Sequence, residues 1–393
     1  MNNDFIYLDH AATTPVIDKV LAAMMPYFSE KFFNPSAPYL PSLEARRDYE
    51  DAKSEIARAI GGKSDELVIT AGATESINLA FSSASKENGD EILVAEFEHH
   101  SVLRASEKFG VSKKIKILPS GIVDLEDLKS KITPQTKIVS VMLANNETGI
   151  IQPIAKIAEI IRAEKMQRLQ NGETRQILLH SDASQGVGQL DVSVARLGVD
   201  MLTLNAGKIY GPKQIGALWA NREIVFEAQI VGGGQERGLR SGTENVAGTV
   251  GFAKAIQLAE KHRKKEVERL REIKRIFEEI LRKNFTENEE FFFIGNPKKQ
   301  LASHISISFP GIDAERIIFA AEMRGVLLAT GSACAANKGT RSHTLVAMGL
   351  SETDADGSFR ISFGKLSTPE NTKKAAEILC EILHAEFARL EKK

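Results

Sequence analysis

The sequence predicts an α/β protein, with a large domain built on a mostly parallel β-sheet covered by helices and a smaller α+β domain beside it. Three observations carry this expectation. Between residues 66 and 220, short apolar runs alternate with helical patterns. Those runs hold few polar positions, as strands buried on both faces do. Beyond residue 252 the pattern shifts to one long charged helix and then sparser strands. A chain of 393 residues is long for one ordinary domain and suits two. The expected division gives residues 16–252 to the large domain, and residues 1–15 and 253–393 to the small one.

In chain order, residues 5–8 read as a short strand and 9–15 as a turn of small polar residues. Residues 33–38 form an irregular loop. A charged amphipathic helix over 43–60 is stopped by Gly61-Gly62. Strands follow at 66–70, 91–95, 115–118, 137–143, 176–180, 200–204 and 216–220, with helices at 74–85, 102–109, 125–131 and 154–170 among them. The second region opens with a helix over 253–284. Its strands are expected at 304–309, 326–330 and 359–363, and its other helices at 314–324, 343–348 and 369–389.

Charge narrows the function. Lys plus Arg number 51 and Asp plus Glu 52, a formal balance of -1, so neither nucleic acid nor an anionic membrane is favoured as a partner. Met1-Asn2-Asn3-Asp4 lacks the basic and apolar regions of a signal peptide. No apolar run reaches bilayer length. Two cysteines, Cys334 and Cys380, make no disulfide framework and fit a reducing cytoplasm.

Ligands of open α/β sheets gather beyond the carboxyl ends of the strands. Past residue 204 stand Asn205-Ala206-Gly207-Lys208, then Gly-Pro. A lysine at the lip of a buried strand is either a solvated turn residue or an amine kept for Schiff-base chemistry. Past residue 69 come Thr70-Ala71-Gly72-Ala73-Thr74, either a phosphate cradle or a plain turn capped by Thr74. His99 is a stacking or proton-carrying group, or a polar helix start. Asn145-Asn146 suits ligand bonding or a tight turn. Asp182 pairs with a buried cation or caps a helix. One ligand accounts for all five positions: pyridoxal phosphate needs an amine, a carboxylate for its ring nitrogen, a phosphate cradle and a stacking partner.

Three features fall in the second region. Cys334 stands among small polar residues, where an exposed thiol suits a reactive role. Cys380 lies among apolar residues at helical spacing and belongs to the core. Arg360 interrupts an apolar strand, as a carboxylate clamp or a structural ion pair would. No metal is expected.

Together these stretches resemble the NifS/IscS-type cysteine desulfurases, in the class V aminotransferase branch of the fold-type I pyridoxal phosphate enzymes. The resemblance rests on Tyr7-Leu8-Asp9-His10-Ala11-Ala12-Thr13-Thr14-Pro15, Asn34-Pro35-Ser36, Thr70-Ala71-Gly72-Ala73-Thr74-Glu75-Ser76, Asn145-Asn146-Glu147-Thr148-Gly149, Lys208-Ile209-Tyr210-Gly211-Pro212-Lys213, Arg237-Gly238-Leu239-Arg240-Ser241-Gly242-Thr243 and Gly331-Ser332-Ala333-Cys334. It runs nearly the length of the chain. It implies that Lys208 carries the cofactor, Asp182 holds the pyridine nitrogen, Gln185 bonds the ring hydroxyl and His99 stacks on the ring. Ala73 and Thr74 take the phosphate, with Asn205 able to donate through its amide. Thr243 reaches the cofactor of a partner subunit, which makes the protein a homodimer. Asn146 and Arg360 hold the carboxylate of L-cysteine. Cys334, on a loop that has to move, accepts the sulfur and passes it to an iron–sulfur scaffold or a tRNA-thiolation enzyme.

Three departures stand out. The resemblance leads one to expect Ser-(Gly/Ala)-His before the lysine, whereas Asn205-Ala206-Gly207 is present. Asp9-His10 replaces the usual Asp-Asn, and little chain follows Leu390. A selenocysteine lyase, or a cofactor-poor homologue acting as a binding partner, is the alternative expectation.

Overall fold

A computed structural model describes residues 5–84, 89–330 and 341–392. Its strands are β1 (Ile6–Tyr7), β2 (Leu67–Thr70), β3 (Glu91–Ala95), β4 (Val111–Ile115), β5 (Thr136–Ser140), β6 (Leu178–Asp182), β7 (Met201–Asn205) and β8 (Gly216–Ala220). Beyond these come β9 (Phe292–Phe293), β10 (His304–Ser308), β11 (Val326–Leu327), β12 (Ala329–Thr330) and β13 (Ser358–Ser362).

The α/β expectation is met. Seven strands form one sheet in the order β2-β8-β7-β6-β5-β3-β4. All neighbours are parallel except at β8, which runs antiparallel to both β2 and β7. Strand side chains alternate faces, and here the alternation sorts residues into two cores. Ile92, Val94, Ile138 and Met201 pack beneath the helices Ala73–Ala84 and His100–Phe109. Leu93, Ala95, Val139, Leu202 and Leu204 pack the other way, with Ile56 of helix Leu40–Ala59 and Ile157 of helix Ile154–Gln170.

The later strands make a four-stranded antiparallel sheet, β12-β13-β10-β9, over a third core of Ile305, Ile307, Phe359 and Ile361. Helix Val246–Asn284, 39 residues long, serves two of these cores. Phe252 and Ile256 enter the large-sheet core, while Leu270, Ile273, Phe277 and Leu281 enter the other. Cys380 is buried in helix Pro369–Leu390, and burial pushes its thiol up to about 12.

Some expected bounds are corrected. The strand expected at 115–118 is β4, four residues earlier in its start; Ile117 makes only an isolated bridge to Val123. β4 is an edge strand carrying Lys113 and Lys114, and charge on an edge masks a strand pattern while it discourages stray pairing. The strand expected over 326–330 is two strands in different sheets: β11 pairs with β1 and β12 with β13. Helix Asp18–Met24 and the two-residue β9 were not anticipated.

Candidate active site

The parallel strands all end on the same side, and their following loops enclose a cavity of about 250 Å³. Ala73, Thr74, His99, Asn146, Asp182, Gln185, Asn205, Lys208 and Arg360 line it. Nine positions picked from strand ends and motifs, spread over most of the chain, therefore meet at one place. Thr243 is exposed and outside this cavity, and Cys334 lies outside the described residues.

Lys208 ends a short turn, Ala206–Lys208, that follows β7. Its Nζ donates to the carbonyl oxygens of Ala11 at 2.9 Å and Ala12 at 2.6 Å. The amine is thus held by the N-terminal loop. Asn205 caps the turn, its Oδ1 accepting the Gly207 N–H at 3.1 Å. That use leaves the Asn205 amide nitrogen as its donor toward the cavity.

Asp182 closes β6 and is buried; one of its oxygens accepts the Ser184 N–H at 2.9 Å. Gln185 Nε2 donates to Ala11 O at 3.0 Å. His99 realises both of its readings. It caps helix His100–Phe109, its Nδ1 taking the Ser101 N–H at 3.2 Å, and its ring still faces the cavity. His99 is open to solvent at the cavity mouth, yet the protein packed around it holds its pKa below the ordinary value, with the Asp182 carboxylate opposing this and Lys208 adding to it.

The two asparagines divide their labour. Asn145 is turn structure: its Oδ1 accepts the N–H groups of Glu147 and Thr148, both at 2.9 Å. Asn146 faces the cavity. Arg360, on β13, is 3% exposed. It donates to Asn146 O at 2.8 Å and to Asp9 Oδ1 at 2.5 Å, while its Nε has no partner among the described residues. It is therefore both an ion pair and a cavity wall.

Thr74 is the second residue of helix Ala73–Ala84 and is exposed, so it does not cap that helix. The first N–H groups of a helix have no intrahelical acceptor. Those of Ala73 and Thr74 sit at the cavity wall, at the positive end of the helix dipole.

Several lining residues escaped the sequence reading. Ala11 and Ala12 contribute carbonyls, and Ser184 contributes a buried Oγ with no partner among the described residues. His100 and His343 face each other with ring centres 4.8 Å apart. Glu147 is buried and accepts the Ser342 hydroxyl; burial raises its carboxyl to about 7 against the pull of Ser342 and Arg360. Only Ser184, two residues past Asp182, and Glu147, beside Asn146, were within reach of a motif argument.

The residues present fit pyridoxal phosphate. The open amides at Ala73 and Thr74 suit a phosphate, the orphaned Ser184 Oγ suits a further polar ligand atom, and a buried carboxylate faces the same cavity as a lysine amine.

The aminotransferase class-V family model matches residues 6–374. A cysteine desulfurase IscS 1 of Archaeoglobus fulgidus is 39% identical over 381 residues, covering 95% of each chain. A cysteine desulfurase IscS of Dictyoglomus turgidum is 38% identical over 387 residues, 96% of this chain and 94% of its own. Among solved structures, a NifS-like protein matches with a TM-score of 0.87 at 30% identity, covering 97% of this chain and 99% of its own. A protein described as SspA in complex with cysteine matches at 0.76 and 31%, covering 91% and 98%.

Proposed function

This chain belongs to the class-V aminotransferase family, and from that footing we propose that it is a cysteine desulfurase: a pyridoxal phosphate enzyme that takes sulfur from L-cysteine, leaving L-alanine and a persulfide on Cys334. The observation that carries the reading is the meeting of Lys208, Asp182, His99 and Arg360 in one cavity.

When bound, pyridoxal phosphate supplies a conjugated ring that spreads negative charge developing at the substrate Cα. The chain does the rest. Ala73 and Thr74 offer backbone N–H groups to the phosphate, with Asn205 beside them. Asp182 holds a proton on the ring nitrogen by charge pairing. Gln185 and His99 would hold the ring. Arg360 and Asn146 orient the substrate carboxylate. Lys208 would hold the cofactor through its amine and would carry the proton taken from Cα. The Cys334 thiolate attacks the substrate sulfur. The S–S bond forms as the C–S bond breaks, and alanine leaves after protonation.

Within this reading the protein is a cytoplasmic homodimer. Exposed Met25, Phe28, Phe32, Tyr39 and Leu40 support an interface, and Thr243, exposed and not lining its own cavity, suits a contact with the partner's phosphate. A division into large and small domains near residue 252 belongs to the same reading; the separate cores support two domains, while Ala253 and Ile256 pack with the large-sheet core. The persulfide goes to an acceptor protein of iron–sulfur assembly or tRNA thiolation. Among the described residues no helix is long and apolar enough to cross a membrane.

The test is incubation with L-cysteine and dithiothreitol. Alanine and sulfide are expected in equal amounts; absence of alanine rejects the reading.

A further inference from the structure

The turn that suits the phosphate has a negative charge built into it. Glu75 stands in the first turn of helix Ala73–Ala84, one residue beyond Thr74. Its Oε2 accepts the Ala71 N–H at 2.9 Å, which fixes the carboxylate against the cradle. A helix N-terminus favours anions, but a fixed carboxylate there satisfies that preference itself and repels a second anion. The other oxygen, Oε1, accepts Arg240 Nε at 3.0 Å. Both side chains are mostly shielded from solvent.

Arg240 is not a loose surface arm. Its loop is tied to the same strand that leads into the cradle. Glu236 accepts the Ile69 N–H of β2 at 2.7 Å and pairs with buried Lys53 at 3.0 Å. Tyr49 donates to the same carboxylate at 2.6 Å. The Ser241 N–H bonds Ile230 O at 2.9 Å on the far side of Arg240. Glu236 and Arg237 both take positive φ, at 48° and 59°, a conformation that L side chains adopt only when their surroundings impose it. Two carboxylates, Glu236 and Glu75, thus hold alternate N–H groups of the strand and turn, and one loop answers to both.

We propose that Arg240 keeps the cradle receptive to phosphate by cancelling the charge of Glu75. It is a positioning residue that acts through Glu75. The inference rests on the pyridoxal phosphate reading above and adds to it a residue that serves one part of the ligand only. The cancelled charge matters to a phosphate. It has little bearing on the ring, which His99, Asp182 and Gln185 face.

The test compares two aldehydes. After removal of bound cofactor, the protein is titrated with pyridoxal phosphate and with pyridoxal, following visible absorbance. Arg240→Met is expected to weaken pyridoxal phosphate about tenfold and leave pyridoxal unchanged. Adding Glu75→Gln to that variant is expected to restore most of the phosphate affinity, because the amide oxygen still accepts the Ala71 N–H without the charge. Equal losses for both aldehydes, or a double variant no better than the single one, would overturn the proposal. Should Arg240→Met not fold, Glu75→Gln alone decides: it is expected to bind pyridoxal phosphate at least as tightly as the unmodified chain, and weaker binding overturns the proposal. An unmodified chain that takes up neither aldehyde overturns the cofactor reading and this inference with it.

Discussion

Lys208 Nζ donates to the carbonyl oxygen of Ala12 at 2.6 Å, across 196 positions of chain. The N-terminal loop and the turn after β7 are thereby joined at the amine on which the proposed chemistry depends. Lys208→Ala is expected to remove the visible absorption of the lysine-bound cofactor and all desulfuration. Absorbance spectra of the purified variant check this. A persistent visible band would mean that another amine carries the cofactor.

Cys334→Ala is expected to keep the cofactor spectrum and lose sulfide release, because the variant lacks only the sulfur acceptor. Sulfide assays alongside spectra decide between this reading and a selenocysteine lyase, which does not require the thiol. Full turnover of cysteine by the variant counts against the persulfide step.

Gly207→His tests what the departure from Ser-(Gly/Ala)-His costs. A Cβ built at Gly207 meets nothing closer than Asn205 Oδ1 at 3.5 Å, so a side chain can start there without displacing its neighbours. An added imidazole donor to the phosphate is worth roughly 1 kcal/mol, or about fivefold in cofactor affinity. Equilibrium titration with pyridoxal phosphate measures it. Unchanged affinity would show that Asn205 and the open amides already saturate the phosphate, and weaker affinity that an imidazole does not fit at this buried position.

Glu147 gives a pH dependence with a definite sign. Burial raises its carboxyl from an ordinary 4.5 to about 7. Between those values the native state keeps a proton that the unfolded chain has lost. The stability this contributes is fully present below 4.5 and is lost as pH rises through about 7. The loss amounts to about 3 kcal/mol, at 1.36 kcal/mol for each unit. Glu147→Gln keeps an acceptor for Ser342 and removes the titration. Thermal melts at pH 5 and pH 8 are expected to show a smaller fall for the variant than for the unmodified chain. Parallel falls would place the titration elsewhere.

The sequence reading reached furthest where chemistry and backbone demand coincide. β3 and β8 begin and end where their apolar runs do, and Asp182, Asn205 and Lys208 stand at strand ends because that is where a parallel sheet presents side chains to a ligand. Direction was harder. Nothing in Gly216-Ala217-Leu218-Trp219-Ala220 tells that β8 inserts antiparallel between β2 and β7; that follows from a connection from β7 too short for a crossover. His100 and His343 were missed for a different reason. Each is an ordinary polar residue in its own segment, and only the folding of distant loops onto one cavity gives it a ligand to face. Arg360 was legible as an anomaly, a charge inside a strand, but its bond to Asp9 spans 351 positions and has no local signature.

Helix Val246–Asn284 has a mechanical consequence. At 1.5 Å per residue its 39 residues make a beam about 58 Å long, anchored in one core near Phe252 and in another near Phe277. Neither core can loosen without freeing part of the beam on which the other packs. The two regions are therefore coupled in melting, and a calorimetric scan of the whole chain is expected to give one cooperative transition where two separately linked bodies would give two.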